Sequence, residues 1–274
     1  MSRTTLQYRA LGGFAVERDG VAVTRTAFGR EKARMLLAAL LCANGPVHRE
    51  VLLDWLWPDL DAERGMRAFH VTLHALRRAL EPELPRRTPS SVILTDGEAY
   101  RVVLRDGDAY DVAELLELAK GWRNGESEDE QLERLVRAES AADGELLPEW
   151  PYAPWAEAAR REVERTRSEV LASLGRSLLD LGRPAEATIR FRRLIEVDAE
   201  REEWHRLLMR ALAEAGERPL ALRQYHACRA VLRRELGIEP GPDTRNLYRQ
   251  ILLADDGDEG EPSSAENDEE KDGP

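Results

Sequence analysis

Residues 67–80, RAFHVTLHALRRAL, place basic side chains at a spacing suited to recognising hydrogen-bond acceptors. On a helical wheel, an apolar stripe predicts the face that turns to a core; it consists of Phe69, Leu73, Leu76 and Leu80. The opposite face carries Arg67, His70, Val71, His74, Arg77 and Arg78, and all of these except Val71 can donate hydrogen bonds. An arginine matches the edge of guanine or a phosphate, and a valine matches the methyl group of thymine. The stretch therefore favours a helix that reads DNA.

Two other interpretations of this face are open. A face that is only solvated usually mixes acids and bases and pairs them four residues apart, whereas within residues 66–81 Glu81 is the only acid on this face. His70 and His74 are four residues apart and could share a metal ion, but no third ligand follows at a suitable spacing. We therefore predict no metal site and no cofactor, and we prefer nucleic-acid recognition to a merely solvated face.

The elements around this stretch are predicted in the order strands, three helices, hairpin. Two β-prone runs meet at Asp19-Gly20, which is a two-residue hairpin signal. A buried helix at 30–45 and a second at 48–57 follow, and the third runs from its N-cap Asp61 to Glu81. A second hairpin is expected to turn at Asp96-Gly97. This order is typical of a winged helix-turn-helix, whose third helix enters the DNA major groove.

Charge is distributed unevenly along the 274 residues, whose net charge is −12. Residues 1–107 hold 16 Lys and Arg against 13 Asp and Glu, residues 108–254 hold 23 against 29, and residues 255–274 hold 1 against 10. The predicted winged-helix region is thus the only net-positive part, at +3. Residues 255–274 offer almost nothing apolar to bury and are predicted to form a disordered, solubilising acidic tail, with binding to a basic partner as the alternative.

Several classes of protein are disfavoured by the sequence. It has no secretory apolar region and no run of about 18 apolar residues, and its two cysteines, Cys42 and Cys228, are isolated. These features predict a soluble cytoplasmic protein with no membrane partner. The sequence also contains no glycine-rich nucleotide motif and no HExxH zinc motif, so we expect no enzyme activity.

The second half of the chain repeats with a period of 34 residues. Equivalent small or aromatic residues are Gly182 and Gly216, Ala187 and Ala221, and Phe191 and Tyr225. This is the tetratricopeptide period, although Met209 replaces the glycine that corresponds to Gly175. Further helices are predicted at 111–121, 127–142 and 152–165. Such a stack either binds a protein partner or only holds DNA-binding domains in register, and both interpretations stay open.

Two parts of the sequence resemble a known family. KARMLLAALLCANGPVHREVLLDWLWPD and LHALRRALEP resemble the OmpR-type winged helix of the Streptomyces antibiotic regulatory protein (SARP) family. REEWHRLLMRALAEAGERPLALRQYHACRAVLRRELGIEPGPDTRNLYRQIL resembles its bacterial transcriptional activator domain. The expected fold is mainly α: an α+β winged helix-turn-helix domain at 1–107, an all-α tetratricopeptide-like domain at 108–254, and the acidic tail at 255–274.

The resemblance implies a transcriptional activator that binds tandem direct repeats at promoters, usually of secondary-metabolite gene clusters, and that contacts RNA polymerase. The polymerase contact would be the loop formed by Pro58, Asp59 and Leu60. From the residues themselves, base contacts are expected from Arg67, His70, Val71, His74 and Arg78. Phosphate contacts are expected from His48, Arg49, Arg64, Arg77 and Arg101. Because the charge of +3 is modest, two copies are expected to associate on adjacent half-sites.

The predicted wing departs from what a phosphate-facing wing needs. Its tip carries Asp96 and Glu98, and only Arg101, or Arg86 and Arg87 in the preceding loop, could compensate. This departure keeps one other class of function open. In that alternative the chain is a tetratricopeptide-like protein-interaction scaffold whose winged helix has become a protein-contact module.

Overall fold

The computed structural model describes residues 4–85, 87–120 and 126–254. Arg86 and the predicted acidic tail at 255–274 lie outside the described residues. Spatial contacts divide the chain into two units, one up to Leu174 and one from Gly175 onward. The division falls inside the helix Glu157–Asp180. The sequence pattern instead predicts a domain boundary after residue 107, and this boundary stays a prediction.

Helices dominate the described residues. The strands are β1 (Leu6–Arg9), β2 (Ala15–Arg18), β3 (Val21–Ala22), β4 (Val47–His48), β5 (Ile93–Asp96), β6 (Ala99–Val102) and β7 (Ala109–Tyr110). The helices are α1 (Glu31–Ala43), α2 (Arg49–Leu56), α3 (Ala62–Leu80), α4 (Asp111–Leu118), α5 (Glu128–Ala141), α6 (Glu157–Asp180), α7 (Pro184–Val197), α8 (Glu202–Glu214), α9 (Arg218–Glu235) and α10 (Pro242–Leu253). The prediction of a mainly α fold is confirmed.

A small sheet opens the chain, with strand order β3-β2-β1-β7. The turn between β2 and β3 is at Asp19-Gly20, as predicted, and both residues have positive φ, +50° and +77°. That backbone is what a two-residue hairpin of type I′ requires. Strand β7 pairs parallel to β1, Gln7 opposite Ala109, and the sequence pattern did not indicate it. Two residues are too few to show the alternation that marks a strand.

Three helices and a hairpin follow, in the predicted order. Helix α1 is buried along most of its length and ends at Asn44, whose φ of +47° gives a left-handed C-cap. The wing is a second sheet, order β4-β6-β5, so β4 joins the hairpin to the start of α2. In the hairpin, Asp96 pairs with Ala99, so the loop consists of Gly97 and Glu98. The turn is therefore one residue later than the Asp96-Gly97 predicted from the sequence.

Residues beyond 107 pack directly on the winged-helix elements within the first unit. The carboxylate of Asp111 accepts backbone N–H bonds from Ala10 and Leu11 at 2.8–3.0 Å. Leu11 forms an antiparallel bridge with Leu146. The buried hydrophobic residues between Leu6 and Val170 form one cluster. The first unit therefore has one core, shared by the winged helix and the helices that follow it.

The second unit contains the 34-residue repeat. Gly182 and Gly216 both have left-handed backbones, φ +68° and +78°, at the turns before α7 and α9. The residue after each glycine donates its N–H to a carbonyl of the preceding helix. Arg183 donates to Leu178, and Glu217 donates to Leu212. This is the Schellman arrangement, for which glycine is favoured. The predicted helix at 152–165 and the first repeat helix are one continuous helix, α6.

Within the described residues, no helix is long and apolar enough to cross a membrane. The same residues contain no group of three or more His, Cys, Asp or Glu side chains placed to hold a metal ion. Burial raises the pKa of Cys42 and of Cys228 to about 12, so neither thiol ionises near neutral pH.

Candidate nucleic-acid interface

Helix α3 is anchored by the apolar stripe that the sequence predicted. Its N-cap is Asp61, whose carboxylate accepts the N–H of Arg64 at 2.8 Å. Phe69 and Leu76 are fully buried, and Leu73 and Leu80 are at most 5% exposed. The ring of Phe69 contacts Tyr100 of the wing edge-on, with centroids 5.0 Å apart. The core therefore fixes both the position and the rotation of α3.

The opposite face of α3 is exposed, except at Arg77. Its exposed side chains, which we call the α3 stripe, are Arg67, His70, Val71, His74 and Arg78. They follow one another at intervals of one, three or four residues, so they lie along one side of the helix. Val71 is 49% exposed. The structure thus brings together all five residues from which base contacts are predicted.

The arginines of the α3 stripe are only loosely held. Arg67 forms an ion pair with Glu63 one turn earlier, and the two side chains are 64% and 81% exposed. Arg78 donates to the carbonyl of Leu84 at 3.3 Å. Exposed ion pairs contribute little free energy and the Arg78 hydrogen bond is long, so both guanidinium groups can move to a ligand at small cost.

Arg77 has a different environment from the rest of that face. Its guanidinium is half-buried and donates to the carbonyl of Ile93 at 3.1 Å and to the hydroxyl of Thr95 at 2.8 Å. At the end of α3, Glu81 accepts from the N–H and hydroxyl groups of Ser91 at 3.0 and 2.8 Å. Both residues therefore fasten the wing to α3. The sequence does not indicate this role, because nothing in a helical pattern identifies the partner of an arginine.

The start of α2 meets the tip of the wing. His48 is the N-cap, and its Nδ1 accepts weakly from the N–H of Glu50 at 3.4 Å. Glu98 forms an ion pair with Arg49, and its other carboxylate oxygen lies 3.3 Å from Nε2 of His48. His48 and Arg49, two of the five residues predicted to contact phosphate, thus both lie next to Glu98 of the wing.

The remaining predicted phosphate contacts, Arg64 and Arg101, are both exposed. Arg64 is 72% exposed at the beginning of α3, with Nε 3.3 Å from the carboxylate of Asp61. Arg101 is exposed on β6, opposite Leu94 in the wing. Arg87 is exposed in the loop before the wing and has φ +68°, and Arg86 lies outside the described residues.

The loop between α2 and α3 exposes the residues predicted to contact polymerase. Pro58, Asp59 and Leu60 are all exposed, Leu60 by 41%. Trp57 anchors the loop, because its ring contacts Phe69 edge-on at 6.3 Å between centroids. A single exposed apolar residue is common on protein surfaces, so the polymerase contact stays a prediction.

Comparison with known proteins identifies relatives over most of the chain. The family model described as bacterial transcriptional activator domain matches residues 109–252. Regulatory protein AfsR of Streptomyces coelicolor is 30% identical over 254 residues, which cover 91% of this chain and 24% of AfsR. Transcriptional regulatory protein MoaR1 of Mycobacterium tuberculosis is 23% identical over 252 residues, which cover 90% of this chain and 79% of MoaR1. The chain therefore spans about a quarter of the length of AfsR and most of that of MoaR1.

A solved structure has the same fold. Mycobacterium tuberculosis EmbR, in complex with a low-affinity phosphopeptide, superposes with a TM-score of 0.75 at 22% sequence identity. The match covers 91% of this chain and 65% of the EmbR chain. This likeness supports the order of elements described above, from the first sheet to the helical repeats.

Proposed function

Because the chain belongs to the SARP family, we propose that it activates transcription by binding promoter DNA through α3. The members of this family are regulators that contain a bacterial transcriptional activator domain. MoaR1 is named as a transcriptional regulatory protein and AfsR as a regulatory protein, and regulation of transcription is the activity of this family. The α3 stripe is the observation that carries the finer proposal. It presents two guanidinium groups, two imidazoles and one apolar side chain on the exposed side of a helix whose other side is locked into the core.

In this proposal, the α3 stripe lies in the major groove. Arg67 and Arg78 bind guanine edges or phosphates, and Val71 packs on a thymine methyl group. Arg64 and Arg101, on either side, hold the phosphate backbone and set the register. The target is a pair of tandem direct repeats, since one copy with a weakly positive winged-helix region binds DNA too weakly by itself.

A mobility-shift titration with the DNA upstream of the gene and its neighbours tests this proposal, repeated at several salt concentrations. Specific binding should weaken steeply as salt rises, because bound phosphates release counterions. Arg67→Ala and Arg78→Ala should each cost about 1–3 kcal/mol if the arginine is bidentate to a base. A loss that is equal for promoter and unrelated DNA would instead assign a phosphate contact.

Arg161→Ala is the matched control. Arg161 forms the same kind of exposed ion pair on a helix as Arg67 does, with Glu157 four residues earlier, but it lies on α6. Its replacement should leave DNA affinity unchanged. If wild type shows no preference for the promoter and Arg67→Ala and Arg78→Ala behave like Arg161→Ala, DNA recognition by α3 is refuted and the protein-interaction scaffold becomes the better proposal.

The contact with RNA polymerase is proposed for the loop Pro58–Leu60. Leu60→Ala should reduce transcription from the promoter in vitro while leaving the mobility shift unchanged. Val136→Ala is a suitable control, since Val136 is 43% exposed, close to the 41% of Leu60, and lies on α5. Equal transcription by the two variants would contradict the polymerase contact without affecting the proposal for α3.

A further inference from the structure

The tip of the wing is fastened to the beginning of α2 by backbone and side-chain contacts. Strand β4 pairs with β6, His48 opposite Ala99. The N–H of Arg49 donates to the carbonyl of Glu98 at 2.8 Å. This pairing fixes the backbone of Glu98 beside the first residue of α2, so the position of its side chain follows from the sheet.

The carboxylate of Glu98 uses both of its oxygens on this contact. One oxygen forms the ion pair with Arg49, and the other lies 3.3 Å from Nε2 of His48. The Arg49 side chain is only 22% exposed, whereas the Glu98 side chain is 51% exposed. Glu98 therefore covers Arg49 from the solvent side, where a DNA phosphate would approach.

From this geometry we infer that Glu98 is an intramolecular competitor that occupies Arg49 and withholds it from the DNA backbone. The inference rests on the proposed function, because it takes Arg49 to be a phosphate contact of a DNA-binding surface. A phosphate must displace the Glu98 carboxylate before it reaches the guanidinium. Since phosphate contacts carry no sequence information, Glu98 lowers affinity for every duplex by a similar factor. The α3 stripe, which makes the base contacts, is left unaffected.

Glu98→Gln tests the inference, because the amide keeps the size of the side chain and removes its charge. Affinity for promoter DNA and for an unrelated duplex should both rise about two- to fivefold, which is the range for one exposed charge contact. The slope of log affinity against log salt should steepen by about 0.9, the value for one additional phosphate neutralised. The ratio of promoter to unrelated affinity should stay the same.

Asp96→Asn is the matched control, because it removes the same charge from the same wing tip. Asp96 pairs through its backbone with Ala99 and its carboxylate is not the one that holds Arg49. It should change the salt slope by much less than Glu98→Gln does. An equal change would show that only net charge matters and would overturn the inference.

A double-mutant cycle with Arg49→Gln identifies the group that is released. In the Arg49→Gln background, Glu98→Gln should no longer increase affinity, because no guanidinium is left to release. A gain that persists in this background, or Glu98→Gln binding like wild type, overturns the inference. If wild type shows no promoter preference, the proposed function fails, yet the comparison on unrelated duplex still decides the role of Glu98.

Discussion

Gly175→Ala should destabilise the second unit, although alanine is the better helix former. Gly175 lies within α6, where alanine favours the helix by about 1 kcal/mol. A Cβ at this position would lie 2.3 Å from Cε1 and 2.6 Å from Cζ of Phe191. Phe191 is fully buried, so it cannot swing out into solvent. Overpacking of this kind costs about 1–3 kcal/mol, and contacts this short place the cost at the upper end. The net loss should be about 1–2 kcal/mol.

Urea unfolding followed by circular dichroism measures this loss, and Gly65→Ala provides the control. Gly65 is the buried helical glycine of α3, where a Cβ would meet Leu53 Cδ2 at an ordinary 3.5 Å. That variant should gain up to about 1 kcal/mol from helix propensity. Phe191→Leu should partly restore stability in the Gly175→Ala background. The reasoning is refuted if Gly175→Ala is as stable as wild type, or if both glycine variants gain stability.

Three further expectations concern polar side chains that are buried or half-buried. Arg34 donates to the carbonyl of Phe14 at 3.0 Å and is 4% exposed. Arg34→Met should therefore lower the free energy of unfolding by roughly 2–4 kcal/mol. A urea midpoint equal to that of wild type would contradict this. Burial lowers the pKa of His205 from its ordinary 6.5, so the stability that depends on its neutral form should be fully present above pH 6.5 and be lost as pH falls through the lowered pKa. His205→Gln should remove this part of the pH dependence of the urea midpoint. Arg77→Met removes two hydrogen bonds to the wing and should speed amide hydrogen exchange there by at least about tenfold, with α1 unchanged as an internal reference.

The sequence predicts α3 well because a long amphipathic helix repeats its signal over several turns. Asp61 marks its start, and the stripe from Phe69 to Leu80 places its buried face. The same periodicity assigns the exposed face, so Arg67 and His74 are found on the predicted side. Helices and their orientation are local properties, and local patterns record them.

Short strands and side-chain partners cannot be predicted in this way. Strands β4 and β7 have two residues each, and their pairing depends on parts of the chain that are remote in sequence. The roles of Arg77 and Glu98 depend on where the wing packs, since each is held by a residue from another element. Charge alone identifies both as polar surface residues and gives no information about their partners.

The shared core of the first unit limits how this architecture can recombine during evolution. The β1–β7 pairing, the Asp111 contacts and the Leu11–Leu146 bridge join residues about 100 or more positions apart. A crossover after residue 107 between genes of two family members would combine β1 from one parent with β7 from the other. Each of these contacts would then join a residue from one parent protein to a residue from the other, and the two would have to be compatible. If the proposed function holds, descendants that exchange DNA specificity should inherit the segment up to the middle of α6 together, or alter only the exposed residues of α3.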